Sequence, residues 1–365
     1  MRVALVTSGY PPHVGGVERH TQRLAQSLAG LGCEVEVLTQ GPHGDPPSLD
    51  QERDGLVVRR WPVSVRSEAV PVALGLYRYL SAARGRFDVV HAHNYHSAAP
   101  AISYLSGRRP LIVSPHMHAR PATFVARAAH VPYGFVGRRL LRAAASVVSL
   151  SRSEADLVAE RVPGVRPVVI PTGIDVDWLR AAEAKEKAAP VVLFVGRLMA
   201  YKGAARIVEA LPLFGEAKLV VIGNGPEAAT LRRLAEQAGL REKVQLLGAV
   251  DDDELARWYA TADVLVSLSS CESFGIVVLE GLAAGARVVA SDISAHRDTR
   301  QFDEHGSLRL VPLASSPEEI GRAVREELAK GRCMPSETVL SWEAVARLHL
   351  ELYEAVLRRQ LAARH

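Results

Sequence analysis

The sequence has little cysteine, no long apolar run and, over its first 180 residues, no lysine. Three cysteines among 365 residues are too few for a disulfide framework, which predicts a reducing compartment. Because no stretch of about 18 uncharged apolar residues occurs, no membrane-spanning helix is predicted. The short apolar start is broken by Gly9, Pro11 and Pro12, which excludes a secretory signal there. We therefore expect a soluble, cytoplasmic protein.

The composition is that of a folded protein with an unevenly spread charge. Apolar residues make up 48% and charged residues 23% of the chain, which excludes a disordered or fibrous chain. Residues 1–180 contain 21 arginines against 14 acidic residues, whereas the whole chain has a net charge of only +4. A basic half favours an anionic partner, although ordinary surface solubility explains the same arginines.

Short apolar runs alternate with amphipathic helical patterns in both halves of the sequence. The predicted strands are Val3–Thr7, Glu34–Thr39, Asp88–His91, Leu111–Ser114 and Ala145–Leu150, followed by Val191–Val195, Lys218–Ile222, Val244–Leu247, Val264–Leu268 and Val288–Ser291. This alternation predicts an α/β fold of two doubly wound, Rossmann-like domains with parallel sheets. We place the domains at 1–180 and 181–340, and expect a last helix at 341–365 to cross back to the first domain. Such domains bind ligands at the carboxyl ends of their strands, here in a cleft between them.

Two glycines follow the first predicted strand, where a helix begins. Gly15 and Gly16 let the backbone approach a ligand closely, and a helix N-terminus attracts phosphate. The dinucleotide fingerprint G-x-G-x-x-G is absent, and many turns of this kind carry two glycines for structural reasons. The turn alone is a weak signal, which fits a phosphate site and also fits an ordinary turn.

Two cations follow the strand Val191–Val195. Arg197 and Lys202 stand at the strand's carboxyl end just before a helix, which favours a diphosphate site; a solvated basic loop is the alternative. After the next strand, Asn224 and Gly225 repeat the arrangement without charge.

Two glutamates, at 272 and 280, have seven residues between them. Glu272 falls in a loop after a strand, and Glu280 lies inside a helix predicted to begin near Gly275. The backbone N–H groups at that helix start point toward an anion, whereas the carboxylates accept from hydroxyls. Because an unpaired buried carboxylate is costly, we expect the hydroxyls of a ligand to pair with Glu280.

The string E-S-F-G-I-V-V-L-E-G-L-A-A-G at 272–285 resembles the E-x7-E signature of the retaining glycosyltransferases of family 4, which have the GT-B fold. The resemblance covers almost the whole chain, through P-T-G-I-D at 171–175, G-R-x4-K-G at 196–203 and G-N-G-P at 223–226. Within the family, the sequence is most similar to bacterial mannosyltransferases that use GDP-mannose, including those acting on phosphatidylinositol. Thr172, Ser273 and residues 293–297 depart from the family's pattern, which leaves the identity of the sugar open.

The resemblance implies a role for each matching residue. The catalytic set would be Glu272, His116, Arg197 and Lys202, and the donor-binding set would be Gly15, Gly16, Asn224, Gly225, Val250, Phe274, Gly275, Ile276, Val277 and Glu280. Arg197 and Lys202 would hold the diphosphate of a nucleotide-sugar donor, Glu272 and His116 would meet the transferred sugar, and Glu280 would bind the ribose. Val250 would lie near the base. The donor is a co-substrate, so no cofactor and no obligate metal are expected, and the leaving phosphate itself would take the acceptor's proton.

Two groups of residues offer metal-binding alternatives. Asp251, Asp252 and Asp253 imitate a metal-binding motif, but they precede a helical pattern and more simply cap it. The pairs His91–His93 and His116–His118, with His96, fit zinc, contacts to the donor or acceptor, or loop structure.

The segment 120–142 carries five arginines and no acidic residue among its apolar residues. Such a basic amphipathic stretch fits contact with an anionic membrane surface, and it also fits a helix packed on the sheet with a solvated face. Nucleic acid is not expected, because no recognition motif accompanies the charge.

The sequence therefore predicts a retaining hexosyltransferase with a hydroxyl acceptor, favouring GDP-mannose as donor. A UDP-sugar transferase of the same family is the alternative. Rivals from other classes are a histidine-based metal hydrolase, a non-catalytic nucleotide-sugar binder and an epimerase. The acceptor stays open.

Overall fold

A computed structural model of the chain describes residues 1–13, 15–51, 55–65, 70–83, 85–107, 110–117, 136–272 and 274–362. The chain divides into two compact units: unit 1 is Met1–Gly173 with Trp342–His365, and unit 2 is Ile174–Ser341.

Unit 1 is built on a sheet whose described strands lie in the order β3-β4-β2-β1-β5-β6-β7-β8. Its elements are β1 (Arg2–Val6), α1 (Gly16–Gly30), β2 (Glu34–Gly41), β3 (Ser48–Gln51), β4 (Val57–Pro62), α2 (Leu74–Ala82), β5 (Val89–His93), α3 (Ala98–Leu105), β6 (Leu111–Ser114), α4 (136–143 as described), β7 (Ser146–Ser149), α5 (Arg152–Arg161), β8 (Val168–Val169) and, at the end of the chain, α13 (Trp342–Ala362). The described pairings are parallel except that of β3, an antiparallel edge strand on β4.

The two faces of the unit 1 sheet carry different layers. One face packs Ala4, Val90 and Val113 with α2 and α3 into an apolar core. Side chains alternate between faces along a strand, so His91 and His93 of β5 point to the face opposite Val90. There α1 packs against α13 and buries Leu24 and Leu28.

Unit 2 has a parallel sheet in the order β11-β10-β9-β12-β13-β14. Its elements are α6 (Val176–Arg180), β9 (Val191–Val195), α7 (Ala204–Ala210), β10 (Lys218–Ile222), α8 (Ala228–Gln237), β11 (Val244–Gly248), α9 (Asp252–Thr261), β12 (Val264–Ser267), α10 (Ile276–Ala283), β13 (Arg287–Ser291), α11 (Ser294–Asp298), β14 (Leu308–Val311) and α12 (Pro317–Lys330). Its central strands are buried apolar runs, as strands covered on both faces must be. The prediction of two Rossmann-like α/β units with parallel sheets is confirmed.

The boundary between the units differs from the predicted one. The structure assigns residues 174–180 to unit 2 rather than to a domain at 1–180, because Ile174 forms a bridge with Ser341 and α6 packs against α9 and α10. The last helix belongs to unit 1, where it packs on α1. No described helix combines the length and the apolar character needed to cross a bilayer.

One glycine allows two loops of unit 2 to approach each other closely. Gly203 has φ +73°, and a Cβ there would lie 2.5 Å from the carbonyl oxygen of Leu268. The neighbouring backbone N–H of Ser270 donates to Tyr201 O at 2.8 Å. The loop after β9 therefore rests directly on the loop after β12.

We expect Gly203→Ala to destabilise the protein by about 1–3 kcal/mol more than Gly239→Ala, because the added methyl overlaps the Leu268 carbonyl. Gly239 is a matched control, since it has φ +68° and no atom lies within 4 Å of its Cβ position. Urea unfolding of both variants measures the difference. Equal losses, at the roughly 1–2 kcal/mol of left-handed strain alone, would contradict the close approach.

Candidate active site

In unit 2, a lysine and a glutamate from neighbouring loops form an ion pair. Lys202 ends a short 3₁₀ turn after β9, and Glu272 lies in the loop after β12, the strand beside β9. Lys202 Nζ donates to Glu272 Oε1 at 2.6 Å, and their side chains are 17% and 19% exposed. The structure thus brings together two of the predicted catalytic residues.

A second donor to Glu272 is Ser269, whose own position is supported by further hydrogen bonds. Ser269 Oγ donates to Glu272 Oε1 at 2.7 Å, and Ser291 Oγ donates to Ser269 O. His296 Nδ1 in turn donates to Ser291 O at 2.8 Å. Among the described residues, the hydrogen bonds to Glu272 both end on Oε1, so the carboxylate has a fixed orientation.

His296 is a residue that sequence reasoning noted only as part of a departing loop. Its ring is fully buried, and burial lowers its pKa. A Cβ at Gly275 would lie 2.9 Å from His296 Cδ2, so the ring packs directly beneath the start of α10. His296 therefore packs against the end of the loop that contains Glu272.

Arg197 lies in the same loop as Lys202 but makes a different contact. Its side chain is exposed, and Nη2 donates to the hydroxyl of Tyr201 at 2.8 Å. Tyr201 therefore orients the guanidinium, which keeps donors available to an anion.

Close packing between loops requires glycine at two positions of the G-N-G-P stretch. A Cβ at Gly223 or Gly225 would lie 1.9 Å or 2.3 Å from the carbonyl oxygens of Gly196 and Leu198 respectively. Leu198 N also donates to Asn224 O at 2.8 Å. These contacts explain the glycines by loop packing, and a role of Asn224 and Gly225 in donor binding stays a prediction.

Helix α10 begins where the sequence predicts. Gly275, with φ +86°, is its N-cap, and Ile276 and Val277 occupy its first turn half-buried. The Phe274 ring is buried against Phe302, so only its backbone is available to a ligand. Ser273 lies outside the described residues. The N–H groups of a first turn have no partners within the helix, which suits an anion or an oxygen-rich ligand.

Glu280, which is expected to pair with the hydroxyls of a ligand, also has a partner within the protein. The hydroxyl of Tyr259, from α9, donates to Glu280 Oε2. The sequence places these residues on separate helices, so this pairing has no local signal. Binding of ribose hydroxyls by Glu280, and of a base near the half-buried Val250, stay predictions.

In unit 1, two glycines lie at the start of α1, with Gly15 as its N-cap and Gly16 as its first residue. A Cβ at Gly15 would lie 2.1 Å from Glu18 Oε2, the end of a flexible side chain. No described atom lies within 4 Å of a Cβ at Gly16. The places of both glycines in the donor-binding set stay predictions.

Three buried histidines converge at the amino-terminal part of α1. His20, His93 and His116 are 2%, 0% and 3% exposed, and each offers a ring nitrogen within 4.8 Å of the others. His93 Nδ1 lies 3.2 Å from His116 Nε2. Burial lowers the pKa of His20 and of His93 well below the ordinary value, so both rings are neutral near pH 7.

The sequence analysis did not identify His20, although its position in α1 indicates that it is buried. It stands four and eight residues before Leu24 and Leu28, on the buried stripe of α1. Its Nδ1 lies 3.1 Å from the hydroxyl of Thr172, the residue noted as a departure from the family's pattern. His118 lies outside the described residues, and His96 is half-buried in the turn after β5.

Glu154 fixes the loop that carries His116. Its carboxylate accepts from Met117 N at 2.6 Å and from Leu150 N at 2.8 Å. His116 has φ +50°, a conformation that needs such support. Burial raises the pKa of Glu154 from 4.5 to about 7.

The aspartates at 251–253 act as predicted. Asp251 is the N-cap of α9, and its carboxylate accepts from Glu254 N at 2.8 Å.

Most of the basic stretch 120–142 lies outside the described residues, which resume at 136.

Two family models match successive parts of the chain. One described as "Glycosyl transferases group 1" matches residues 175–332, and one described as "Glycosyltransferase Family 4" matches residues 14–178. Phosphatidyl-myo-inositol mannosyltransferase of Propionibacterium freudenreichii subsp. shermanii is 30% identical, covering 97% of this chain and 94% of that protein. Glycogen synthase of Mycobacterium tuberculosis is 31% identical, covering 80% and 78% respectively. The structure of Anabaena Alr3699/HepE in complex with UDP has a TM-score of 0.71 at 17% identity, covering 100% of this chain and 99% of that one.

Glu154 gives a pH dependence with a definite sign. The folded carboxyl keeps its proton up to about pH 7, whereas the unfolded one loses it near 4.5, so the folded state binds more protons in between. Stability should therefore fall as pH rises through this window, by about 3 kcal/mol in total. The buried histidines act in the opposite sense, because their pKa values are lowered.

The comparison with Glu154→Gln isolates the contribution of Glu154. Urea unfolding at about pH 5 and about pH 7 should show that wild type loses more stability, or gains less, than the variant over this range. Parallel pH profiles for the two proteins would contradict the raised pKa.

Proposed function

This chain belongs to the group 1 and family 4 glycosyltransferases, and we propose that it transfers a hexosyl group from a nucleotide diphosphate sugar to a hydroxyl acceptor with retention of configuration. The observation that carries the proposal is the Lys202–Glu272 pair. It joins a cation suited to a diphosphate with a carboxylate suited to sugar hydroxyls, at the carboxyl ends of adjacent strands of a GT-B unit.

The cations would stabilise the charge of the leaving nucleotide. A lysine ammonium has three donors, so Lys202 can keep its bond to Glu272 and still donate to a phosphate oxygen. Arg197, held by Tyr201, would supply a second set of donors to the same diphosphate. Fixed cations of this kind replace a metal ion, so no obligate metal is proposed.

Glu272 would bind the transferred sugar rather than attack it. Its Oε1 already accepts from Lys202 and Ser269, which lowers its nucleophilicity and directs Oε2 to other donors. The backbone of residues 274–277 would add N–H donors to the sugar. The role of His116 toward the sugar, implied by the family resemblance, stays a prediction. With no protein nucleophile, retention would follow from same-face attack, in which the leaving phosphate takes the acceptor's proton.

GDP-mannose is the proposed donor, in agreement with the mannosyltransferase resemblance of the E-S-F-G-I-V string and of the relative from Propionibacterium. A UDP-sugar is the alternative, since the similar Anabaena structure holds UDP. For the acceptor we propose only a hydroxyl compound. Contact of the basic stretch 120–142 with an anionic membrane surface is proposed on its charge pattern alone.

We expect GDP and GDP-mannose to raise the melting temperature more than UDP, UDP-glucose and UDP-N-acetylglucosamine, with or without a chelator, since a bound ligand stabilises the folded state. Thermal shift and calorimetry measure this. Selective stabilisation by uridine nucleotides would overturn the choice of base, and stabilisation by none would overturn the donor site. Product analysis separates the rivals: an epimerase releases isomerised donor, and a mere binder leaves it unchanged.

Lys202→Ala and Arg197→Ala should each lower the rate of nucleotide release from the selected donor by about 10²–10³-fold, as for the loss of one preorganised donor. Lys185→Ala is a matched control, because Lys185 forms a half-buried 2.6 Å pair with Glu254 in the same unit. That control should keep its rate. Wild-type turnover in both site variants would contradict the diphosphate assignment.

A further inference from the structure

One of the three buried histidines of unit 1 has an unsatisfied polar atom that lies within the cluster. Nε2 of His20 has no hydrogen-bond partner among the described residues. A buried polar atom without a partner costs free energy, so such atoms are rare in native proteins. We therefore ask whether a ligand that accepts nitrogen lone pairs would satisfy this atom.

The contacts of His20 suit a tautomer with its lone pair on Nε2. Nδ1 lies 3.1 Å from Thr172 Oγ1, and the hydroxyl of Thr172 lies 3.4 Å from Gly173 O, to which it can donate. In the tautomer with its proton on Nδ1, His20 donates to Thr172 Oγ1 and Nε2 has the lone pair. Metal-binding histidines are commonly oriented in this way, by a hydrogen bond from the ring nitrogen that does not bind the metal.

The arrangement of the three rings suits a small transition-metal ion. Two nitrogens on a tetrahedral zinc ion lie roughly 3.4 Å apart, given bonds of about 2.0–2.1 Å. The separation of 3.2 Å between His93 Nδ1 and His116 Nε2 is close to this value. The three candidate ligand atoms lie within 4.8 Å of one another, so movements of about one ångström would bring all three to one ion.

We propose that His20, His93 and His116 form a binding site for a divalent transition metal of the zinc, cobalt and nickel class. Ions of this class bind well to imidazole nitrogens, whereas magnesium and calcium prefer oxygen ligands. The ion would connect α1, the end of β5 and the loop after β6, and so would stabilise unit 1. The chemistry proposed for Arg197, Lys202 and Glu272 does not use this ion, which would instead occupy Nε2 of His116.

Cobalt(II) is the probe, because a tetrahedral cobalt–imidazole site absorbs visible light. We expect wild-type protein, freed of metal by a chelator, to bind a single Co²⁺ per chain with visible absorption and a raised melting temperature. His20→Gln should weaken binding by at least tenfold, and Thr172→Val, which removes the orienting partner, by about 10–100-fold.

Two controls separate this site from other histidines. His349 is buried in the same unit but lies outside the cluster, and its Nε2 has no partner in the part of the chain that the structure describes. His43 is exposed. His349→Gln and His43→Gln should bind cobalt as wild type does. Absence of visible absorption in wild type, or an equal loss of cobalt binding in His349→Gln and His20→Gln, would overturn the proposal.

If His20→Gln does not fold, Thr172→Val still tests the site. Cobalt binding by Thr172→Val with wild-type affinity would overturn the proposal. Because metal binding is read without donor or turnover, the result is independent of the proposed function.

Discussion

The arrangement of the unit 2 site depends on the ion pair between Lys202 and Glu272. The pair connects the loops after β9 and β12, and it is mostly buried, so removing either partner would leave a charge with little compensation. Gly203 makes the connection sterically feasible by allowing the first loop to lie on the carbonyl of Leu268. Ser269 donates to the same carboxylate oxygen as Lys202, and Ser291 and His296 support Ser269 through successive hydrogen bonds.

Much of the unit 2 site is predictable because its determinants are local. Glu272 and Glu280 stand in one loop and helix, and Arg197 and Lys202 stand in one loop, so the residues are read directly from strand ends. The order of the sheet then brings the loops together, since β9 and β12 are neighbours. The partner of Glu280 could not be predicted, because Tyr259 comes from another helix and its contact depends on packing.

The residues missed in unit 1 have weak or misleading local signals. Glu154 follows the helix cap Ser151 by three residues, a spacing typical of an exposed capping box, yet its carboxylate is buried on the His116 loop. The antiparallel strand β3 comes from a short polar segment that no periodicity marks. The boundary at 173/174 rests on the bridge between Ile174 and Ser341, residues far apart in the sequence.

The two units differ in how they can recognise a ligand. Unit 2 presents Arg197, Lys202 and Glu272, formal charges with solvent access, which suit a ligand that is itself charged. Unit 1 contains buried imidazoles, of which His20 and His93 have lowered pKa values and are uncharged. Uncharged rings attract a ligand only through lone pairs and N–H groups at fixed positions. The proposed donor is charged and the proposed hydroxyl acceptor is not, so the two would make different demands on the protein. For this reason the motifs of unit 2 support the proposed donor class, whereas the acceptor stays open.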